Sequence, residues 1–227
     1  MSATSSDKLV IGVSGSSVPH SNTDAAVQAV LAATGCRTEF VKLSEYTIAP
    51  CRACLGCVKT NRCVIPDDGT VLAERVKQAD ALVIGGYTSY SSLDARTKAF
   101  IERLYALRHL NGFMRGKPGV AVITHAIPNG SEQLPPAAEM GTNAIMFYMM
   151  EEGMNYLGVV QVPGIVPCLT CGFGDPCEMS GLKLMYGPEM TVASMAIHCF
   201  ADHVEVLAKA EALGRSLGQA VNVVPVS

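Results

Sequence analysis

Short apolar runs rich in Val and Ile alternate along most of this chain with stretches of helical period. That alternation limits it to a parallel sheet covered on both faces. Lys8–Ser14 (KLVIGVS), Thr38–Leu43, Ala81–Gly86 (ALVIGG), Val120–Thr124 and Val159–Val166 read as the five strands. Thr23–Thr34, Thr70–Ala79, Arg96–Leu110 and a Met-rich Ala137–Leu157 read as helices, and Pro188–Leu213 as a long closing helix. Gly35 stands just past the end of the first helix, where a left-handed residue stops it. Crossovers between parallel strands are right-handed, so the expected fold class is α/β, a doubly wound five-stranded parallel sheet in the order 2-1-3-4-5. Residues 1–7 are expected to be a flexible polar leader and 8–227 a single domain, with inserts at about 44–69 and about 167–188.

Charge and hydropathy remove several function classes. Seventeen basic against 20 acidic side chains give a net charge of −3, which is no electrostatic footprint for nucleic acid or an anionic membrane. There is no run of about 18 apolar residues to span a bilayer. The Met1–Lys8 segment lacks the apolar stretch of a signal peptide, and a cytoplasmic location is expected. A chain that is 49% hydrophobic and 16% charged builds a core rather than staying disordered.

Nine cysteines are more than an ordinary cytosolic enzyme carries, and most are clustered. Cys51, Cys54, Cys57 and Cys63 follow a C-x2-C-x2-C-x5-C spacing inside the structureless 44–69 stretch. Three thiolates at steps of three wrap one side of a small cluster, and the fourth closes it from a longer loop. Tetrahedral zinc usually takes two separated pairs, so the spacing favours a [4Fe–4S] cluster. Arg52, Lys59 and Arg62 offset part of the thiolate charge. Cys168, Cys171 and Cys177 form a second group in a glycine-rich wrap, open to a second metal site, a redox disulfide or an unreactive turn. His198 and Cys199 are candidate completing ligands, but the period of the closing helix (Val192, Met195, Ala196, Cys199, Phe200, Leu207) places Cys199 in the core. Cys36 also reads as a small core residue. Asp67-Asp68 caps the helix that starts near Thr70.

In such a sheet ligands bind beyond the carboxyl ends of the strands, near the switch between strands 1 and 3. The segment from Ser14 to Thr23 is rich in hydroxyls and opens onto a helix N-terminus, whose unpaired N–H groups suit a phosphate. It has no Gly-Lys-Ser/Thr tail and no Gly-x-Gly-x-x-Gly, against nucleotide hydrolysis and a standard dinucleotide fold. It also has no Lys or Arg, so the anion is expected to be held by neutral donors; the same residues also read as a plain capping turn. After strand 3, Tyr87, Thr88, Ser89, Tyr90 and Ser91 suit a planar heteroaromatic ligand or form an ordinary surface loop. Thr124 and His125 close the rim after strand 4. The methionines of Met140–Met154 read as adaptable core or subunit interface rather than a copper site.

Ser14-Gly15-Ser16, Ser21-Asn22-Thr23, the cysteine loop ending Cys63-Val64-Ile65-Pro66-Asp67-Asp68-Gly69, Ala79-Asp80-Ala81 and Lys98-Ala99-Phe100-Ile101-Glu102-Arg103 together resemble the iron–sulfur flavoproteins. These belong to the flavodoxin-like NADPH-dependent FMN reductase superfamily, and the resemblance runs from about Lys8 to Leu107. It implies FMN, with its phosphate on Ser14, Ser16, Ser21, Asn22 and Thr23. The flavin ring would lie against Tyr87 to Ser91, Thr124 and His125. It further implies a [4Fe–4S] cluster on Cys51, Cys54, Cys57 and Cys63, and a homodimer or homotetramer in which flavin and cluster of neighbouring subunits approach. The expected activity is electron transfer between a reduced carrier, ferredoxin or NAD(P)H, and an acceptor, for which no acid–base residue is needed. The chain departs from the family where Gly86-Tyr87-Thr88-Ser89 replaces the common Ser-Pro-x-Tyr, and where the phosphate loop lacks the frequent Pro-Arg. Two other readings stay open: an NAD(P)H-dependent FMN or quinone reductase with structural zinc on its cysteines, and a non-catalytic redox or metal sensor.

Overall fold

A computed structural model of the chain describes residues 6–223. Its elements are β1 (Ser6–Ser14), α1 (Asn22–Ala32), β2 (Cys36–Lys42), α2 (Asp68–Gln78), β3 (Ala81–Ser89), β4 (Ser92–Leu93) and α3 (Ala95–Leu104). After these come β5 (Pro118–His125), α4 (Ala137–Glu151), β6 (Asn155–Pro163), α5 (Gly181–Tyr186) and α6 (Val204–Val223). Of the expected leader, residues 1–5 lie outside the described residues, and Ser6 and Asp7 already belong to β1.

Five strands pair in parallel in the order β2-β1-β3-β5-β6, the expected doubly wound order. The two-residue β4 was not expected and pairs antiparallel with the end of β3. Both faces of the sheet are covered, which is why the strands read as nearly continuous apolar runs. Ile11, Val13, Leu82, Ile84, Ala121 and Ile123 pack against α2, α3 and α4. Val10, Val83, Val120, Val122, Val160 and Val162 point the other way, onto α1 and α6. With two apolar faces to satisfy, the register cannot slip by one residue without burying every wrong side chain.

Two helices differ from expectation. The Met-rich helix stops at Glu151, because Gly153 is left-handed (φ +68°) and a Schellman pair of hydrogen bonds follows, Met154 N–H to Met149 O at 2.8 Å and Gly153 N–H to Met150 O at 3.0 Å. The next residues start β6 instead. The closing helix is Val204–Val223, not Pro188–Leu213. Residues 188–203 carry only two single-turn 3-10 helices, Val192–Ser194 and Phe200–Asp202. Their apolar spacing imitates a helix, but Met195 and Ile197 have no sheet face to cover, and local bonds such as Thr191–Ser194 and Cys199–Asp202 take the backbone elsewhere. Cys199 is consequently exposed rather than core, and Cys36 is only half-buried.

The helix that does close the fold is marked by small residues. A Cβ on Gly214 would stand 2.3 Å from Val30 O, and one on Gly218 2.0 Å from Thr34 O, so α6 lies with its backbone against the C-terminal turn of α1. Gly218→Ala must push the two helices apart. The expected cost is about 1–3 kcal/mol, read as a lower urea midpoint with an unchanged slope.

Candidate functional site

The loop from β1 to α1 is built around a buried carboxylate. Ser14 Oγ donates to Asp24 Oδ1 at 2.6 Å, Ser21 N–H donates to Asp24 Oδ2 at 3.3 Å, and Asp24 N–H donates back to Ser21 Oγ at 3.1 Å, a reciprocal cap on the 11-residue α1. Lys42, from the end of β2, pairs with Asp24 Oδ2 and donates to Val18 O at 2.8 Å. Ser16 Oγ accepts from Val18 N–H at 3.2 Å. Among the described residues the backbone N–H groups of Ser17, His20, Asn22 and Thr23 find no acceptor. Four donors and the positive end of a helix therefore converge on one exposed loop, a ready anion site.

The cations missing from the loop in sequence come from elsewhere. Arg96 at the start of α3 donates to Gly15 O at 3.1 Å, and Lys42 holds Val18 O from the other side. The loop thus has two cations as neighbours, both engaged with its own carbonyls. Sequence reasoning missed both, and nothing local in the Ser14–Thr23 segment signals them. Two expected ligand contacts are also engaged in the scaffold. Asn22 Nδ2 donates to Pro163 O (3.4 Å) and His198 O (3.3 Å), its Oδ1 accepts from Phe200 N–H (3.0 Å), and the Thr23 and Thr124 hydroxyls meet at 2.8 Å.

The neighbouring rim is tied to that loop through Asp94. This residue is 1% exposed, and its carboxylate accepts from Thr97 N–H (2.8 Å), Thr97 Oγ (2.7 Å) and Tyr87 N–H (3.2 Å), capping α3. A Cβ on Gly15 would lie 1.9 Å from Thr97 Oγ1, so only glycine lets the phosphate loop press on α3 there. β3 runs on through Tyr87, Thr88 and Ser89, which are strand residues rather than loop. Tyr90 and Ser91, both left-handed at φ +49° and +58°, turn the chain into β4, with Tyr90 fully exposed at the tip. At the end of β5 His125 Nδ1 lies 2.8 Å from Ile127 O and must donate to it, which leaves Nε2 as a buried acceptor with no partner. An orphaned acceptor beside an anion-ready loop fits a flat heteroaromatic group with an N–H edge and a phosphate tail.

The cysteine loop is held at both ends by one side chain. Arg103 of α3, 1% exposed, donates to Ala49 O (3.0 Å) before the cysteines and to Ile65 O (3.4 Å) and Thr70 Oγ1 (3.3 Å) after them. Its charge is met by Asp67 at 2.6 Å, which also accepts from Ala49 N–H (2.8 Å) and Gly69 N–H (3.0 Å). Asp67 thus caps α2, as the sequence indicates. Burial alone would push the Asp67 carboxyl up; Arg103 and the two N–H groups outweigh it and hold it below the usual range.

Between these anchors the four cysteines are half-buried or exposed on a loop whose backbone is left-handed at Ala53, Leu55 and Asn61. Cys51 Sγ accepts from Ala53 N–H at 3.4 Å, and Cys57 Sγ meets His109 Nε2 at 3.3 Å. Burial pushes the Cys57 thiol up, and the charges of Cys63, Cys51 and Cys54 push it further. The pKa of the buried Arg103 guanidinium, which burial alone would lower, is raised by Asp67 and, from the cysteine loop, by Cys63. Among the described residues no three His, Cys, Asp or Glu side chains are drawn together as an ion site. In the second group Cys168 Sγ accepts from Gly181 N–H at 3.2 Å, and the Gly174 and Phe173 N–H groups hold the exposed Cys171 thiol below its usual range. Among the described residues no group of three metal-ligating side chains forms around them.

Comparison with known proteins agrees with this geometry. The family model described as NADPH-dependent FMN reductase matches residues 9–150. The chain is 34% identical over 128 residues to an iron–sulfur flavoprotein of Methanocaldococcus jannaschii, covering 55% of this chain and 65% of that one. It is 29% identical over 127 residues to an iron–sulfur flavoprotein of Methanosarcina thermophila, covering 55% and 66%. The chain thus spans just under two thirds of the length of these curated relatives. Its fold is similar to that of RosB, solved with 8-demethyl-8-formylriboflavin 5′-phosphate, at a TM-score of 0.62, 13% identity and coverage of 95% and 79%. The fold is of flavodoxin-like parallel α/β architecture. The chain belongs to the NADPH-dependent FMN reductase family, and the two relatives named above are iron–sulfur flavoproteins. Among the described residues no helix is long and apolar enough to cross a membrane.

Removing one partner of the Arg103–Asp67 pair leaves a buried charge unmatched. Asp67→Ala is expected to lose about 3 kcal/mol at pH 7 in urea unfolding. Because the folded carboxyl titrates below its unfolded value of about 3.9, the stability it adds is full above that pH and is lost as pH falls through the folded value. The gap between wild type and Asp67→Ala should therefore narrow below about pH 4.

Proposed function

We propose that this chain carries FMN at the strand ends and a [4Fe–4S] cluster on Cys51, Cys54, Cys57 and Cys63, and passes electrons between a reduced carrier, ferredoxin or NAD(P)H, and an acceptor. The observation that carries this reading is a loop of four cysteines stapled at both ends by Arg103, in a chain of the FMN reductase family. The iron–sulfur names of its relatives support it.

Each residue has a definite part. The N–H groups of Ser17, His20, Asn22 and Thr23 bind the phosphate oxygens, with Arg96 and Lys42 supplying positive charge from behind the loop. Ser14, Ser16 and Ser21 shape the loop through Asp24 and Val18. Tyr87 to Ser91 and Thr124 wall the ring, and His125 Nε2 accepts a hydrogen bond from its polar edge. Around the four thiolates, Arg103 beside Cys63 offsets charge, and His109 contacts the Cys57 sulfur. When bound, flavin supplies two-electron and one-electron exchange and the cluster one-electron exchange, so the pair divides an electron couple.

Protein prepared without air tests this directly. About one FMN and about four iron per chain are expected. Cys57→Ser should lose most of the iron and keep the flavin, whereas Arg96→Ala should weaken FMN binding about tenfold with iron unchanged. A preparation with neither flavin nor iron overturns the reading, and zinc in place of iron overturns its cluster half.

A further inference from the structure

Besides Arg103 at its two ends, the cysteine loop has a fastening in its middle, made by a single asparagine. Asn61 is 7% exposed and stands between Cys57 and Cys63 with a left-handed backbone (φ +52°), a conformation asparagine tolerates better than most residues. Its N–H donates to Cys57 O at 2.8 Å. Its side chain reaches the turn that continues α3: Nδ2 donates to Ala106 O (3.0 Å) and His109 O (2.7 Å), and Oδ1 accepts from Asn111 Nδ2 (2.7 Å). Both amide hydrogens and the amide oxygen are thus used.

That fastening sets one imidazole on one sulfur. Asn61 holds the carbonyl of Cys57 and the carbonyl of His109, and the two side chains meet at 3.3 Å, His109 Nε2 to Cys57 Sγ. The Tyr105 ring packs edge-on against the imidazole, centroids 4.7 Å apart at 85°, and limits its swing. Both Cys57 and His109 are half-buried. Cys51 Sγ, by contrast, accepts from within its own loop, from Ala53 N–H at 3.4 Å.

The chemistry of a ligating sulfur fixes the direction of the contact. A thiol can give its proton to an imidazole nitrogen, but a sulfur bound to iron is a thiolate with no proton to give. His109 Nε2 must then carry the hydrogen and donate it. A donor on such a sulfur favours the redox state that puts more negative charge there, which is the one reached by uptake of one electron.

We propose that His109 is a positioning residue that acts through Cys57: its Nε2–H, held on the sulfur by the Asn61 fastening, raises the reduction potential of the iron–sulfur cluster and so favours transfer of one electron from the reduced carrier. This role rests on the cluster proposed above for the four cysteines.

Redox titration of the holoprotein, followed by electron paramagnetic resonance, reads the cluster potential directly, with iron and flavin content measured on the same samples. His109→Phe keeps a ring against Tyr105 and removes the donor. One-electron uptake should become about tenfold less favourable, a fall of about 59 mV. His109→Gln restores an N–H on a side chain of similar reach and should recover most of that fall. His109→Leu, which also lacks the donor, serves where His109→Phe does not fold. Loss of iron from the donorless variant with iron kept in His109→Gln would support the role by a second route. An unchanged potential in the donorless variant, or equal shifts or equal iron loss in it and in His109→Gln, would overturn the proposal and leave the cluster reading standing. Wild type without iron would overturn the cluster reading and this role with it.

Discussion

The cysteine loop exists as a defined object because of one buried ion pair. Residues 46–67 have almost no repeating structure, and without cross-links such a stretch would keep its conformational entropy. Arg103 removes that freedom at both ends by holding the carbonyls of Ala49 and Ile65 from a position inside α3. A guanidinium taken out of water is costly, and only Asp67, itself fixed by two backbone N–H groups, makes it tolerable. The same carboxylate starts α2, so cluster loop, α2 and α3 are locked by shared atoms. Arginine suits this position because its planar fork sends donors from two nitrogens to separated acceptors; a lysine ammonium would have to serve them all from a single nitrogen.

A second buried carboxylate does the equivalent task at the strand ends. Asp94 joins the strand that follows the switch point to α3, and Thr97, held by Asp94, forms the floor on which Gly15 rests. Arg96, two residues on, then reaches the Gly15 carbonyl. The first turn of α3 therefore sets the anion loop, while its last turn sets the cysteine loop. Both candidate sites are fixed to the same ten-residue helix, so their separation is set by a rigid element rather than by loops.

The sheet was legible because its strands are buried on both faces, and continuous apolar runs between helix periods have few other solutions. The local structure around the candidate site was legible in part: the hydroxyl-rich turn leads into α1 and Asp67 caps α2. What the pattern hid is set across long sequence separations. Arg96 meets Gly15 across 81 positions, and Asn22 meets Phe200 across 178. The closing helix was misplaced because Val192, Met195, Ala196 and Cys199 repeat with a helical period yet face no sheet. The better signal was the spacing of Ala210, Gly214 and Gly218, small residues one turn apart that let two backbones touch. Asn22 and Thr23 were read as ligand contacts from their position at a helix start; tertiary neighbours engage their side chains and leave their backbone N–H groups unpaired.

The anion loop also holds a carboxylate of its own, and the pairing of that group decides whether the loop can attract a phosphate at all. Asp24 lies in the first turn of α1, where its negative charge interacts favourably with the helix dipole and would compete with an incoming anion. It does not face the solvent: its side chain is 6% exposed, and Ser14, Ser21 and Lys42 satisfy it from within. Lys42 cancels its charge at contact distance, where screening by salt is weakest. With that acid neutralised from within, the loop keeps its unpaired N–H groups, and Arg96 stands behind it on the Gly15 carbonyl. A loop that carries no cation in its own sequence is met by two because β2 and α3 each bring one to it, Lys42 to neutralise the internal acid and Arg96 to hold the Gly15 carbonyl.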